Sequence, residues 1–275
     1  MGSRGSKAGC IQRPLHNVTA LDSLPVLAIA YVTFAIAFAG LVHGTLGLGF
    51  PLVATPLISL VSDVKTAVIL VVPPTLAVVI AAIVAGGPFL ATVREWWRMP
   101  LWALLGAYTG TQLFIVIDPA PLTLLLALAI TVYLGLDWIG RGESQLIRAH
   151  RHKAGTLFGF LGGLFEGSVN IAAPPLLIYF LSLGLAPVAL VKALNLCFFT
   201  GKATQISTLI ASGDVSNATW LSTVPLCVVG VVTSLAGTRI RSRVPAQTYR
   251  RWLKYALVVM ALVLLGQFYL LLNAA

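Results

Sequence analysis

Long apolar segments, separated by short polar or glycine- and proline-rich stretches, follow one another along almost the whole chain. They form two sets of five between these interruptions. The first set comprises 25–45, 49–62, 65–86, 99–117 and 120–140, and the second comprises 155–170, 174–183, 186–212, 219–238 and 249–272. Most of these segments are close in length to the roughly 20 residues that a helix needs to cross a bilayer. The pattern predicts an all-α polytopic membrane protein.

Two of these segments, 49–62 and 174–183, are too short for a straight crossing of the membrane. Each follows a break in the helical pattern that contains glycine or asparagine, and proline lies at or near the start of each segment. Short interrupted segments at corresponding places in two halves are typical of transporters built from repeats. Each half is therefore predicted to contain a broken hairpin of short helices followed by three membrane helices.

The two sets resemble each other in order as well as in number. The residues that recur at nearly constant spacing are Pro51 and Pro174, Trp96 and Trp220, Gly106 and Gly230, and Pro119 and Pro245. This ordered similarity favours an internal repeat, and the alternative is chance likeness between apolar segments. The predicted division is an N-terminal tail (1–24), a first transmembrane repeat (25–140), a basic linker (141–154) and a second transmembrane repeat (155–275).

Composition supports a membrane protein and excludes other classes. Hydrophobic residues make up 58% of the chain and charged residues 9%, against about 25% charged residues in ordinary soluble domains. The net charge of +10 is concentrated between the apolar segments, so it indicates membrane topology rather than nucleic-acid binding. The three cysteines are scattered, and the sequence shows no spacing typical of a metal site or a cofactor.

The basic residues also predict the orientation in the cell (inner) membrane. They cluster in 141–153 and 239–254, and the excess of Lys and Arg in cytoplasmic loops places both clusters in the cytoplasm. If each broken hairpin returns to its own side, the first repeat runs from outside to inside and the second from inside to outside. The two repeats then have inverted topology, and both termini lie on the periplasmic or extracellular side. The basic N-terminal tail opposes this assignment, and the two larger clusters decide it.

A polar stripe runs along the segment that follows Pro187. Lys192, Asn195 and Lys202 lie within about an 80° arc of one helix, with the lysines about 15 Å apart along the axis. Charged groups inside a membrane are costly unless they face a cavity or a partner, so the stripe is predicted to bind an anionic substrate. The alternative for Lys192 is that its ammonium group reaches the interface. Gln205 is a further candidate, although it is expected to point further round the helix.

The two breaks supply the remaining candidate contacts to the substrate. Helix N-termini expose unpaired N–H groups and a partial positive charge, so two of them near the middle of the membrane would attract an anion. The alternative is that the glycines serve only for close helix packing. The candidates at the breaks are Thr45, Gly47, Gly49, Ser168, Asn170 and Pro174.

Titratable residues lie close to both breaks. His43 and Glu166 precede them and are candidates for proton coupling, while Glu166 has the alternative role of neutralising one of the two lysines on the stripe. Lys65 follows the first short segment. Here the pattern predicts a helix cap by Ser62 or Asp63 beside a solvated lysine.

At the breaks the sequence resembles the TauE/SafE-type sulfite exporter family, also called the toluene-sulfonate uptake permease group. The residues that carry the resemblance are Gly44-x-x-Gly-x-Gly-x-Pro51 through Pro56, Asp63-Val-Lys-Thr-Ala67, Gly159-x-x-Gly-Gly163, Pro174-Pro-Leu-Leu-Ile-Tyr179, Gly184-Leu and Lys192-Ala. Their order and duplication extend over about 26–272. Two departures alter the presumed site: Asn170-Ile-Ala-Ala173 stands where members often have a glycine-rich run, and Glu166 where a small residue is common.

The resemblance implies transport of small sulfur-containing anions, such as sulfite or organosulfonates, across a bacterial inner membrane. Together with the two repeats, it predicts a secondary transporter, an exporter, that works by alternating access around an anion site at the midplane built from helix N-termini and lysines. The lysines and the helix N-termini independently favour an anion over a cation. The alternatives are transport of another small organic anion, such as a carboxylate, and a non-transporting scaffold or assembly protein.

An enzyme is not expected from this sequence. Intramembrane catalysis usually needs paired acids, histidine clusters or a nucleophile beside a base, and the eight acidic residues are mostly singly placed. The expected partners are the small anion and the lipid bilayer, with no nucleic acid, and a homo-oligomer is left open.

Overall fold

The computed structural model describes residues 25–138, 144–240 and scattered positions between 255 and 269, which form helices and no strand. The helices of the first half are α1 (Val26–Leu46), α2 (Phe50–Ser59), α3 (Val64–Ala85), α4 (Leu90–Trp96), α5 (Arg98–Val116) and α6 (Pro119–Trp138). Those of the second half are α7 (Gln145–Ala149), α8 (Arg151–Val169), α9 (Ala173–Ser182), α10 (Pro187–Ser212), α11 (Asn217–Ser222) and α12 (Val224–Ile240).

These helices confirm the predicted all-α membrane protein. Where a described helix corresponds to a predicted apolar segment, the bounds agree to within about one helical turn, and the segment 219–238 is divided between α11 and α12. The short helices α4 and α7 lie between the predicted segments and were not predicted. Among the residues that the structure describes, four helical stretches are long and apolar enough to cross a membrane: Val26–Leu46, Val64–Ala85, Arg98–Val116 and Asn217–Ile240. The tail 1–24, linker residues 141–143, most of the basic cluster 239–254 and much of the segment 249–272 lie outside the described residues.

Both predicted breaks are present, and each is formed by a residue in the left-handed region of backbone conformation. α1 ends at Gly47, which has φ of 79°, and α8 ends at Asn170, which has φ of 65°. Glycine and asparagine adopt this conformation with less strain than other residues. α2 and α9 then begin with proline in the first turn, where a missing N–H group removes no helical hydrogen bond.

After the break, each short helix turns back beside the long helix that precedes it. Tyr31, near the start of α1, donates a hydrogen bond from its hydroxyl to Leu57 O, near the end of α2, at 3.1 Å. In the second half, Tyr179 of α9 donates in the same way to Arg151 O at the start of α8, at 3.0 Å. α3 and α10 each contact the break of the other half: Val68 O of α3 accepts from Asn170 at the second break, and Asn195 of α10 donates to Gly47 O at the first.

The two halves pack against each other through two pairs of helix contacts. α1 packs on α12 and α8 packs on α5, while α3 packs on α12 and α10 packs on α5. If α1, α2, α3 and α5 correspond to α8, α9, α10 and α12, each of these contacts has its counterpart in the other half. Such packing is expected of a two-fold repeat, and the inverted orientation of the halves stays a prediction.

Glycines allow the helices to approach closely in two of these interfaces. A Cβ atom added to Gly106 or Gly163 would overlap the backbone of the partner helix in the α5–α8 interface. One added to Gly44 would do the same in the α1–α12 interface, with Ser234 O. Small residues at such positions are typical of helix association in membranes, where close packing rather than exclusion of water drives contact.

Lys65 is buried, so the prediction of a solvated lysine was wrong. The Asp63 side chain does cap α3, accepting a hydrogen bond from Thr66 N at 3.0 Å. Lys65 itself is only 2% exposed, and its ammonium group donates to Ile115 O at 3.3 Å and lies 5.8 Å from the centroid of the Phe114 ring. The end of α5 covers this lysine, a tertiary contact that a local capping pattern does not reveal.

Candidate functional site

A cavity of about 320 Å³ lies beside the first break, between the ends of α1 and α3, the first half of α10 and the end of α12. This volume is at the lower end of the range of about 300–1,000 Å³ for ligand pockets, so it suits a small ligand. The polar side chains in its lining belong to His43, Lys192, Asn195, Ser234 and Thr238. We call this space the first-break cavity.

Lys192 and Asn195 reach the first-break cavity from one face of α10. The Lys192 ammonium group donates to Pro88 O at 3.1 Å, which leaves two of its three N–H groups without a described partner. Asn195 Nδ2 donates to Val191 O at 3.0 Å and to Gly47 O at 3.4 Å. Asn195 Oδ1 is buried and accepts no hydrogen bond from any described residue.

His43 faces the same cavity from the last turns of α1. Its side chain is 2% exposed, and neither ring nitrogen has a hydrogen-bond partner among the described residues. Buried polar side-chain atoms nearly always have such a partner, from the protein or from water. These unmet atoms of His43 and Asn195 are buried in two residues that line the first-break cavity.

The charge of the cavity favours an anion. Its described lining contains no Asp or Glu, and with His43 neutral the Lys192 ammonium group is its single formal charge. A negative ligand would pair with this ammonium group in a space partly shielded from water, where such an interaction is stronger than in bulk solvent.

The second break holds a buried ion pair. Lys202 is 0% exposed, and its Nζ lies 2.6 Å from Glu166 Oε1. The same ammonium group donates to Asn170 Oδ1 at 2.5 Å and to Gln205 Oε1 at 2.9 Å. We call Glu166, Asn170, Lys202 and Gln205 the Lys202 cluster. Of the two alternatives for Glu166, neutralisation of a lysine is the one that this geometry shows.

Asn170 joins the Lys202 cluster to the first half of the chain. Its Nδ2 donates to Val68 O at 3.2 Å and to Thr55 Oγ1 at 3.3 Å. The cluster is also tied to α8, because Gln205 Nε2 donates to Gly167 O at 3.1 Å. Gln205, predicted to flank Lys202 and to point further round the helix, is within hydrogen-bond distance of it, because residues three apart are neighbours on the surface of a helix.

The structure thus divides the predicted polar stripe between two places. Lys192, Asn195, Gly47 and His43 line the first-break cavity, whereas the four residues of the Lys202 cluster do not. A separation of about 15 Å along α10 puts the two lysines beside different breaks, although they share a face of the helix.

The remaining candidates at the breaks lie outside the cavity. Thr45 Oγ1 donates to Val42 O at 2.9 Å and Ser168 Oγ donates to Leu164 O at 2.7 Å, so both hydroxyl groups bond within their own helix. Gly49 and Pro174 are buried near the starts of α2 and α9. The first turn of α2 does not contribute to the described lining, and the predicted role of helix N-termini in binding stays a prediction.

Sequence reasoning missed the part of the cavity that α3 and α12 supply. Ser234 and Thr238 lie one turn apart on α12, and Gly86 ends α3. The spacing of Ser234 and Thr238 is a signal for a shared polar face, but hydroxyl residues are common in membrane helices and often bond within their own helix. Only the packing of α12 against α1 and α3 brings these residues to the first break.

A family model described as "Sulfite exporter TauE/SafE" matches residues 32–264. No curated protein and no solved structure matches the chain.

Proposed function

The chain belongs to the sulfite exporter TauE/SafE family, and on that basis we propose that it is a secondary transporter that exports small sulfur-containing anions such as sulfite or organosulfonates. The first-break cavity is the observation that carries this proposal. It combines a lysine with a described lining free of carboxylates, in a volume suited to a small anion. In this proposal Lys192, Asn195 and Gly47 contact the substrate.

The proposed transport mechanism is alternating access between two inverted repeats. The breaks have matching backbone conformations, but the first has a cavity beside it, whereas the second is filled by the Lys202 cluster. This asymmetry is the expected arrangement of a state that is open at one break and closed at the other. In the opposite state, Lys202, Asn170 and Gln205 would separate from Glu166 or from one another and contact the anion.

In this proposal, the charges of the loops decide which side of the membrane the first-break cavity faces. The first-break cavity lies near the end of α12, which leads to Arg239 at the start of the basic cluster 239–254 that was predicted to be cytoplasmic. It also lies near the end of α3, which leads towards Arg94 and Arg98, and their positive charge favours the same side of the membrane. The cavity would then receive its anion from the cytoplasm, as an exporter requires. Of the two candidates for proton coupling, His43 is better placed to exchange a proton with the substrate, because it lines the cavity while Glu166 pairs with Lys202.

Binding of sulfite to the purified protein tests the proposal. We expect sulfite to raise the apparent melting temperature of the detergent-solubilised protein, because a ligand present at about 100 times its dissociation constant stabilises the native state by about 2.7 kcal/mol. The Lys192→Ala variant should lose this shift. The matched control is Lys153→Ala, which removes an exposed lysine of α8 outside the cavity lining and should retain the shift.

Three results would count against the proposal. A shift with acetate or another carboxylate, and none with any sulfur anion, would favour the alternative substrate class. No shift with any small anion would remove the support for an anion site. An equal shift in melting temperature for wild type and Lys192→Ala would show that Lys192 does not contact the anion.

A further inference from the structure

The lining of the first-break cavity is mostly apolar. Its larger apolar side chains, which we call the apolar wall, belong to Ile83, Phe89, Val188, Val191 and Leu235. All five are partly or fully exposed, so they keep surface that a ligand can contact. They come from the end of α3 and the segment after it, from the first half of α10 and from the end of α12. The cavity therefore presents apolar surface from three sides.

The cation of the cavity lies beside the segment that follows α3. The Lys192 ammonium group donates to Pro88 O at 3.1 Å, next to Phe89 of the apolar wall, and two of its three N–H groups have no described partner. The Lys192 side chain is partly exposed, so these N–H groups are not sealed in the protein interior. An anionic group bound there would have the apolar wall next to it.

Sulfite is a poor match for this space. A volume of about 320 Å³ has room for about ten water molecules, and sulfite on Lys192 would fill only a fraction of it. The rest of the apolar wall would stay in contact with water, whereas a hydrocarbon group on the ligand would cover it, which is favourable. A second negative charge on the ligand would have no cation to pair with in the described lining when His43 is neutral.

We propose that the first-break cavity selects a singly charged anion with a short hydrocarbon body, such as an alkanesulfonate, over sulfite. Lys192 binds the anionic group, and the apolar wall, with Phe89 nearest to Lys192 in the chain segment that the lysine contacts, binds the hydrocarbon. This inference rests on the proposed function and narrows its substrate class.

Two ligands that differ only in hydrocarbon length test the inference on the wild-type protein. Methanesulfonate and 1-butanesulfonate have the same anionic group and the same charge. We expect titration calorimetry of the full-length protein in detergent, corrected for titration into protein-free micelles, to show 1-butanesulfonate binding at least about tenfold tighter. Each buried methylene group contributes roughly fourfold in affinity, and the longer ligand has three more of them. Sulfite is titrated in parallel and should bind more weakly than 1-butanesulfonate.

Two variants locate the two parts of the ligand. Phe89→Ala should lose most of the preference for 1-butanesulfonate, because it removes the largest side chain of the apolar wall. Its matched control is Phe34→Ala, since Phe34 is 63% exposed on α1 and lies outside the cavity lining, and this variant should keep the preference. Lys192→Ala should weaken the binding of both sulfonates and keep their ratio.

Each outcome decides the inference. Equal affinity of the wild type for the two sulfonates, or tighter binding of sulfite than of 1-butanesulfonate, would overturn it and leave the proposed function standing. A preference that Phe89→Ala and Phe34→Ala retain equally would also overturn it, because the hydrocarbon would then lie outside the cavity. Absence of binding by sulfite and by both sulfonates would contradict the proposed function itself.

Discussion

Replacement of Lys202 by methionine is expected to lower the free energy of unfolding by roughly 3–5 kcal/mol, because it leaves the buried Glu166 carboxylate without its counter-charge. The same substitution removes the donor for Asn170 Oδ1 and Gln205 Oε1. Nothing in the described surroundings offers Glu166 another donor, and its Oε2 already has no partner there. The loss of stability is measured as the change in the midpoint of unfolding, by heat or by denaturant, between variant and wild type in the same detergent.

Two further variants distinguish the loss of the Glu166–Lys202 ion pair from a general sensitivity of the protein to substitution. The double variant Glu166→Gln with Lys202→Met should recover most of the stability, since replacing both charges removes the uncompensated one. Lys192→Met is the matched control, because Lys192 is partly exposed and pairs with no carboxylate among the described residues. A Lys202→Met protein as stable as the wild type would show that the Lys202 cluster does not hold the second break closed.

Substitution of Gly163 by alanine should be nearly as damaging, at about 3 kcal/mol or more, since overpacking of a close interface displaces backbone. A Cβ atom on this residue of α8 would overlap the Ala103 carbonyl oxygen of α5 and come within 2.7 Å of Ala107 N. Both obstructing groups are backbone atoms of a helix, so no rotation of a side chain relieves the overlap. The effect is measured as the fraction of folded monodisperse protein and its melting temperature.

Gly135→Ala is the matched control for this substitution. Gly135 lies inside α6, and a Cβ atom added there meets no atom within 4 Å. Alanine should leave stability unchanged or raise it by up to about 1 kcal/mol, because glycine is the poorer helix former. Equal stability of the Gly163→Ala and Gly135→Ala proteins would contradict the close α5–α8 approach.

The sequence predicted the helices and their breaks because these depend on local chemistry. Apolar length defines the membrane helices, and Gly47 or Asn170 followed by proline defines each break through backbone conformation. The same holds for the cap of α3 by Asp63, which involves residues of one turn. Each of these features can be inferred from a short window of the chain.

Partners far apart in the chain could not be predicted in this way. A helical stripe places Lys192 and Lys202 on one face, but it does not say that Glu166 of another helix reaches one of them and not the other. Likewise Lys65 lies in a window that suggests exposure, and the end of α5 buries it. The cavity itself needed the docking of α12 beside α1 and α3, which only the folded chain shows.

Flux of sulfite across a membrane tests most directly the claim that an anion passes through the first-break cavity. The measurement is the uptake of radiolabelled sulfite by proteoliposomes under anaerobic conditions, with wild type, Lys192→Ala and Lys153→Ala reconstituted at equal density. We predict saturable uptake by the wild type and by Lys153→Ala, and a reduction of about tenfold or more in Lys192→Ala, because the substrate loses its charged partner. Uptake no faster than in protein-free liposomes, or equal uptake by wild type and Lys192→Ala, would contradict the claim.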